Sequence, residues 1–294
     1  MRPPADPIAA VTHPDPYPYY RELVARIPLY RDEALGLWVA ASADAVTAVL
    51  TSPLGRVRPA AEPVPVAILD SPAADIFGRL VRMTDGPSHA PMKQAVGAAL
   101  ESIDATRARA HAERWARTLA AEIEPRSSPA GLDDFTLALS AHVIASLLTV
   151  PDQALGHAER CVGQYVGGLS PGGDVGRLER GKRAAGDLIE LVRSRLTAPE
   201  PAATSLLSVL SREAGRAGCE DVAAIVANAI GFMTQAYEAT AGLIGNTLRA
   251  LAIRPELAAR IPTNSRLLDD VIREVLRHDP PVQNTRMAWS RAGA

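Results

Sequence analysis

The chain has 294 residues, and its 31 Lys and Arg against 33 Asp and Glu give a formal net charge of −2, which excludes the general basic excess of a nucleic-acid binder. Its two cysteines cannot build a disulfide framework or a CxxC zinc pattern, and 4% aromatic residues argue against a stacking platform for single-stranded nucleic acid. A hydrophobic content of 47% at this length predicts a sizeable core, and the low cysteine content fits a reducing cytoplasmic compartment.

The first quarter of the sequence predicts short elements and no targeting segment. The first ten residues hold three prolines and no apolar run, unlike a signal peptide. Periodicity predicts a helix at 17–26 and a two-stranded hairpin of 29–31 and 37–39. Ser42 is a good N-cap and predicts a second helix at 42–50. Residues 53–74 are rich in Pro and Ala with little periodicity, so we expect a long loop there.

From residue 87 onward the periodicity is almost continuously helical. The predicted helices are 87–100, 104–123, 132–149, 152–166, 177–196, 205–215, 220–253, 255–261 and 267–278. The longest, 220–253, is apolar on most faces, as expected for a helix that crosses the middle of a large domain. Its most apolar stretch is interrupted by Asn228 and Gln235 and is shorter than the roughly 20 residues of a bilayer span, so we expect no membrane insertion. The Gly-rich segment 167–173 is predicted to be a flexible connection, and the fold class is mainly α with a small β region near the N-terminus.

His89 and Lys93 form the first candidate site. Gly86 and Pro87 signal the start of a helix, and two residues four apart share one helical face. A cationic pair near a helix N-terminus suits a carboxylate or a phosphate. The alternative is a solvated basic face.

Glu238 interrupts the longest apolar helix, within the segment 235–240. An ionisable side chain among apolar residues is costly unless it is paired or functional. The segment therefore predicts either a functional carboxylate or one that a neighbouring Arg satisfies.

Two further features lie near the C-terminus. Glu274 and Arg277 are three residues apart, so they can pair on one helix face. Pro280 and Pro281 end that helix and force an extended exit toward Arg286.

In this order, the four features resemble the cytochrome P450 superfamily of heme-thiolate monooxygenases, of the soluble bacterial type. The resemblance runs from Pro14 to Arg286. We therefore expect residues 1–287 to form the N-terminal two thirds of a single P450-like domain, and residues 288–294 to be a tail outside the family. The resemblance implies a mainly α prism whose longest helix crosses over the heme.

The resemblance assigns heme-binding and structural roles. His89 and Lys93 match the family's His-x-x-x-Arg motif on the helix that contacts the heme propionates. Lys replaces the usual Arg, which keeps the charge and loses the bidentate fork. Arg286 is the further propionate candidate, and Glu274 with Arg277 matches the Glu-x-x-Arg pair that supports the core around the thiolate loop.

The resemblance also assigns the catalytic candidates. Glu238 and Thr240 match the acid and the alcohol that organise proton delivery in the oxygen-binding groove. This sequence departs from the family because Ala239 stands where the usual Thr hydroxyl would be, and Gln235 and Ala236 replace Ala-Gly. The usual proton relay is therefore not expected in its standard form.

The iron ligand is missing from this pattern. In the family roughly another hundred residues follow, including a Phe-x-x-Gly-type loop whose Cys thiolate binds the iron. Neither Cys161 nor Cys219 lies in such a loop, so no metal ligand is assigned and we expect the chain to be inactive alone.

The implied activity is the insertion of an oxygen atom from O2 into a small apolar substrate. Heme is the implied cofactor, and a ferredoxin or flavin-type electron donor is the implied partner. The substrate pocket is expected to be formed by residues 53–74, by residues 167–176 and by parts of the missing region. The alternative is a heme-free scaffold of the same fold that acts as a partner or activator of another enzyme. Ala239 and the missing thiolate loop favour that alternative, whereas Glu238 and the cationic pair favour the enzyme.

Overall fold

The structure of the chain is a computed structural model. It describes residues 2–59, 61–170, 174–198, 204–282 and the backbone of 289–290. The chain forms two compact units, one of residues 1–61 with 282–294 and one of residues 62–281. The predicted fold class is confirmed, since the described elements are mostly helices with a small amount of antiparallel sheet. Among the helices that are described, none is long and apolar enough to cross a bilayer.

The first unit carries the small β region. Its elements are α1 Pro7–Val11, α2 Tyr17–Arg26, β1 Leu29–Asp32, β2 Leu37–Ala40, α3 Ala43–Thr51, β3 Gly55–Arg56 and β4 Trp289–Ser290. The predicted hairpin is confirmed, with β1 antiparallel to β2 and Leu29 opposite Ala40. Ser42 caps α3 as predicted, since its hydroxyl accepts from the backbone N–H of Ala45 at 3.2 Å. The sequence argument missed α1, which Asp6 caps.

The long loop predicted at 53–74 is wrong in part, because this stretch holds β3, a 3₁₀ turn at Val66–Ile68 and the start of α4, Pro72–Phe77. β3 pairs antiparallel with β4, which includes two residues of the segment 288–294 that was expected to be a tail outside the family. Because each strand depends on a partner more than 200 residues away, no local periodicity indicates it, and the sequence predicted neither strand. The remaining tail residues lie outside the described ones.

The second unit is helical. Its elements after α4 are a 3₁₀ turn at Val81–Met83, α5 His89–Glu101, α6 Ala105–Ile123, α7 Pro129–Leu147, α8 Asp152–Leu169, α9 Val175–Leu196, α10 Leu206–Arg216, α11 Val222–Ile253, α12 Pro255–Arg260, a 3₁₀ turn at Ile261–Thr263, and α13 Ser265–His278. Side-chain oxygens cap many of these helices by accepting a backbone N–H of the first turn. The capping residues are Asp104, Ser128, Asp174, Ser205 and Asp221. These caps explain why the predicted helices are found within a few residues of their expected bounds.

The core of the second unit surrounds the first half of α11. Every residue from Ile225 to Met233 is buried. Side chains of neighbouring helices complete this apolar cluster. The largest of them are Ile76, Leu148, Leu155, Leu188, Leu207 and Leu210. Burial of this continuous apolar surface is what holds the unit together.

The contact between α8 and α9 corrects the prediction of a flexible connection from residue 167. The helix continues to Leu169 because Gly168 packs directly against Gly181 of α9. A Cβ on Gly168 would lie 2.8 Å from the Cα of Gly181, a distance that real Cβ atoms do not reach. The two glycines therefore serve close helix packing, and residues 171–173 lie outside the described ones.

Candidate functional site

His89 is held at the first turn of α5 by one backbone contact. Its Nδ1 lies 3.0 Å from the carbonyl oxygen of Val81, within the 3₁₀ turn that precedes the helix. Because a carbonyl only accepts, this contact places the ring proton on Nδ1. The Nε2 edge of the half-buried ring has no partner among the residues that the structure describes.

Asn228 of α11 fixes the segment that holds His89. Its Nδ2 donates to the carbonyl of Arg79 at 2.9 Å, and its Oδ1 accepts from the N–H of Val81 at 2.9 Å. A further bond of 2.9 Å runs from Nδ2 to the carbonyl of Ala224 within the helix. Asn228 is 3% exposed, so these bonds satisfy a polar group that would otherwise be costly to bury. The helix thus positions His89 through two hydrogen-bonded steps.

The sequence argument noted Asn228 only as an interruption of an apolar run. A polar residue inside a long buried helix must find partners, so its position was the available indication of a structural role. Its actual partners lie about 150 residues earlier in the chain, and no local pattern points to them.

Lys93 follows His89 by one turn of α5, as predicted. Its side chain is exposed and makes no ion pair with any described residue. The two residues therefore place a free ammonium group and a free imidazole edge on one helix face. This arrangement suits an anion with carboxylate groups.

Glu238 lies in the exposed middle of α11, so the expectation that it sits in apolar surroundings is wrong. Its side chain is exposed, as are those of Gln235 and Thr240. It forms no ion pair with an Arg of the described chain, so the paired alternative also finds no support. The carboxylate is exposed to solvent.

Glu238 and Thr240 are not brought together. At about 100° per residue, two positions along an α-helix place the side chains roughly 200° apart around its axis. Gln235, one turn before Glu238, is the polar neighbour on its own face, and its amide donates to the carbonyl of Gly231 at 3.2 Å.

Tyr237 sits on the opposite, half-buried side of this segment. It packs against Gly163 of α8. The pKa of its phenol is raised by burial, with smaller contributions from the negative charges of Glu159 and Glu238. The tyrosine therefore stays protonated and anchors α11 on α8.

Glu274 and Arg277 form the predicted pair on α13. Two bonds of 2.8 Å and 2.7 Å join the guanidinium to the carboxylate, and this hydrogen bonding lowers the pKa of Glu274. Both side chains are exposed, at 61% and 69%. The geometry of the pair is as expected, and its support of a thiolate loop stays a prediction.

The end of α13 is tied back to α11. The Nδ2 of Asn246 donates to the carbonyl of Asp279 at 2.8 Å, and Arg249 lies 3.6 Å from the Asp279 carboxylate. Gly242 faces Pro281 so closely that a Cβ there would lie 2.8 Å from the proline Cβ. Arg286, the third propionate candidate, lies outside the described residues.

A cavity of about 290 Å³ opens between α4, α9 and the start of α11. Its floor is apolar, formed by side chains such as Ile76, Ile189 and Val226, and Arg79 and Arg193 stand among its lining residues. Along α11, Ala227 of this cavity and Glu238 are eleven positions apart, which is about 16 Å of helix. The cavity is therefore remote from the candidate catalytic segment.

Neither cysteine presents a thiolate to that segment. Cys161 is buried on α8 and lies within 3.9 Å of Asp187 of α9. Gly163, two residues on, contacts Tyr237, so Cys161 points to the other side of α8 from α11. Cys219 precedes α11 and packs against the core.

Comparison with known proteins agrees with this fold. Over 227 residues the chain is 28% identical to "Putative cytochrome P450 133B2" of Xylella fastidiosa (strain 9a5c), a match that covers 75% of this chain and 56% of that relative. The chain thus spans about half the length of this relative. No protein-family model matches it.

Solved structures show the same fold. The crystal structure of CalO2 is similar with a TM-score of 0.73 at 23% identity, covering 98% of this chain and 72% of that one. P450BioI, solved in complex with an acyl carrier protein ligated to hexadec-9Z-enoic acid, has a TM-score of 0.69 at 17% identity, with coverages of 94% and 75%. In its sequence relatives and in its fold, the chain is similar to cytochrome P450s.

Proposed function

We propose that this chain acts in a cytochrome P450-type monooxygenase, which inserts one atom of O2 into a small apolar substrate with electrons from a ferredoxin or flavin-type donor. The observation that carries the proposal is the free cationic pair on α5. His89 and Lys93 have no acidic partner among the described residues, and a buried asparagine of α11 fixes the segment that orients the histidine.

The donor set fits the carboxylate edge of a heme. Its two propionates need cationic or N–H donors; the ammonium of Lys93 is one, and the Nε2 edge of His89 is another when the ring carries a second proton there. When bound through a thiolate, heme supplies the activation of dioxygen. The described part of this chain offers no such thiolate beside α11, so the residue that would bind the iron is left unassigned.

Glu238 is the residue we propose for proton transfer. Its carboxylate is exposed and has no ion-pair partner in the described chain, so one of its oxygens can take up a proton from solvent. The same oxygen can then donate that proton to the reacting groups. The amide of Gln235, on the same face, can orient a water for this transfer. Thr240 stays a weaker candidate because helix geometry turns it away from Glu238.

Small apolar side chains next to Glu238 support the substrate class. Ala236 and Ala239 put only methyl groups on the middle of α11, and neither can hydrogen-bond a polar substrate. A substrate held there gains from apolar contact, and its chemistry beyond that is set by the rest of its pocket.

Hemin titration of the full chain tests the proposal. We expect binding, followed by absorption, and we expect His89→Ala and Lys93→Ala each to weaken it by roughly tenfold, since a hydrogen bond to a charged group contributes about 1.5 kcal/mol or more. Arg109→Ala is the matched control, because Arg109 is an exposed cation on α6 and leaves the pair intact.

Three outcomes would contradict the proposal or part of it. Absence of hemin binding, or binding that is equally strong in all variants, favours the heme-free scaffold instead. A thiolate-type Soret shift in the reduced carbon-monoxide difference spectrum would show that Cys161 or Cys219 ligates iron, against the geometry described above.

A further inference from the structure

Three side chains with metal-binding atoms meet where α8 crosses α9. His157 and Cys161 lie one turn apart on α8, and Asp187 faces them from α9. Their ligand atoms all lie within 4.8 Å of one another. This cluster plays no part in the heme site proposed above, because Cys161 points away from α11.

The spacing within the cluster is close to that of a tetrahedral zinc site. Two ligands bound at about 2.0 to 2.3 Å in a tetrahedral arrangement are roughly 3.3 to 3.7 Å apart. The Sγ of Cys161 lies 3.6 Å from Nε2 of His157 and 3.9 Å from Oδ2 of Asp187. The sulfur–nitrogen distance already fits, and a small rotation of the exposed aspartate brings its oxygen into range.

The contacts of these three side chains leave their metal-binding atoms available to a cation. Among the described residues, Asp187 and His157 form no ion pair, and their side-chain contacts are those to the cysteine. Cys161 is 4% exposed, which shields the sulfur from solvent oxidants while its two partners remain reachable from water. The positive charge of Arg160 lowers the pKa of the thiol, against the larger effects of burial and Asp187.

The alternative is a thiol that only hydrogen-bonds to Asp187. Burial and the aspartate charge raise the pKa of Cys161 to about 11, so without a metal the sulfur is a neutral thiol at pH 7. At 3.9 Å the S–H contact to the carboxylate is long and weak. A metal would displace that proton and take up the negative charge of both groups.

We propose that His157, Cys161 and Asp187 bind a zinc-type divalent cation, with water as the fourth ligand. The mixed nitrogen, sulfur and oxygen set favours Zn²⁺ over Mg²⁺ or Ca²⁺, which prefer oxygen ligands alone. The bound cation joins α8 to α9, so it stabilises this helix pair.

Cobalt titration of the full, metal-free chain under reducing conditions tests the site. Co²⁺ replaces zinc and gives a sulfur-to-cobalt charge-transfer absorption only when a thiolate is a ligand. We expect one such site per chain, retained in Cys219→Ser and lost in Cys161→Ser. His157→Gln and Asp187→Asn should each weaken binding about tenfold or more, because even the loss of outer-shell partners weakens metal binding by that much.

Zinc should also raise the melting temperature of the wild type and of Cys219→Ser, and at the same zinc concentration raise that of Asp187→Asn less. No charge-transfer band in the wild type, or a band that survives Cys161→Ser, would overturn the site. If Cys161→Ser does not fold, the two exposed substitutions carry the test, and binding unaffected by both would overturn it equally. None of these readouts depends on heme.

Discussion

The two halves of α11 are both apolar in sequence, yet they differ in burial. Every residue from Ile225 to Met233 is buried, whereas after Met233 only Ala241 and Thr247 of the helix are. Asn228 in the first half has its side-chain donors and acceptor satisfied by hydrogen bonds, while Glu238 in the second half has no ion-pair partner within the described chain. The polar group that is fully bonded serves the fold, and the one left free is available for function.

The largest effect should come from the buried half. Asn228→Ala leaves the N–H of Val81 and the carbonyl of Arg79 without partners, so we expect unfolding in urea to show a loss of about 2 to 4 kcal/mol. Asn246→Ala, in the exposed half, removes one bond to Asp279 and should cost about 1 kcal/mol. An equal loss of unfolding free energy in the two variants would contradict the difference between the two halves of α11.

Gly242 tests whether the exposed half has tight contacts of its own. Gly242→Ala places a methyl group 2.8 Å from the Cβ of Pro281, and we expect it to cost about 1 to 3 kcal/mol. Gly245→Ala meets nothing within 4 Å and should stabilise the helix by about 0.5 to 1 kcal/mol. Thermal unfolding of the two variants tests this prediction, and a change of melting temperature in the same direction for both would contradict it.

The carboxylate of Glu159, near Tyr237, should make the stability of the fold depend on pH. Burial raises the pKa of half-buried Glu159, although His142 and Arg160 oppose the shift. The folded state therefore holds this proton more tightly than the unfolded state, and that stability is present at acid pH and is lost as pH rises through the folded pKa. We expect Glu159→Gln to be more stable than the wild type at neutral pH, with the difference vanishing in acid. A difference independent of pH would argue against the titration of Glu159.

The smallest effect on stability should come from Glu238. Because its side chain is exposed and unpaired, Glu238→Gln should change the free energy of unfolding by no more than about 0.5 kcal/mol. A much larger loss in urea unfolding would mean that the carboxylate serves the fold, contrary to the role proposed for it.

Local signals in the sequence predicted the elements well where a single residue sets a boundary. Ser42 and Asp104 cap helices that begin where the sequence indicated, and the turn between β1 and β2 follows from its local pattern. The Ser128 cap starts α7 three residues before its predicted start because Pro129 occupies the first helical position.

Several of the failures involve distant partners. The β3 strand depends on a segment near the other end of the chain, and the close packing of Gly168 depends on a second glycine on the next helix. Within the site, the motif spacing identified His89 and Lys93, but the role of Asn228 depends on backbone groups of Arg79 and Val81. The exposure of Glu238 was missed because periodicity reports which residues share a face, and not what covers that face.

The close contact between Gly168 and Gly181 limits which substitutions this helix pair can accept during evolution. A methyl group at either position would push two backbones apart, so a substitution at one cannot be rescued by a smaller residue at the other. Homologues that keep this crossing should therefore carry glycine at both places, and homologues that have lost one should have lost the other. The pair can serve as a marker for sorting distant sequences by the angle and spacing of these two helices before any of their structures is known.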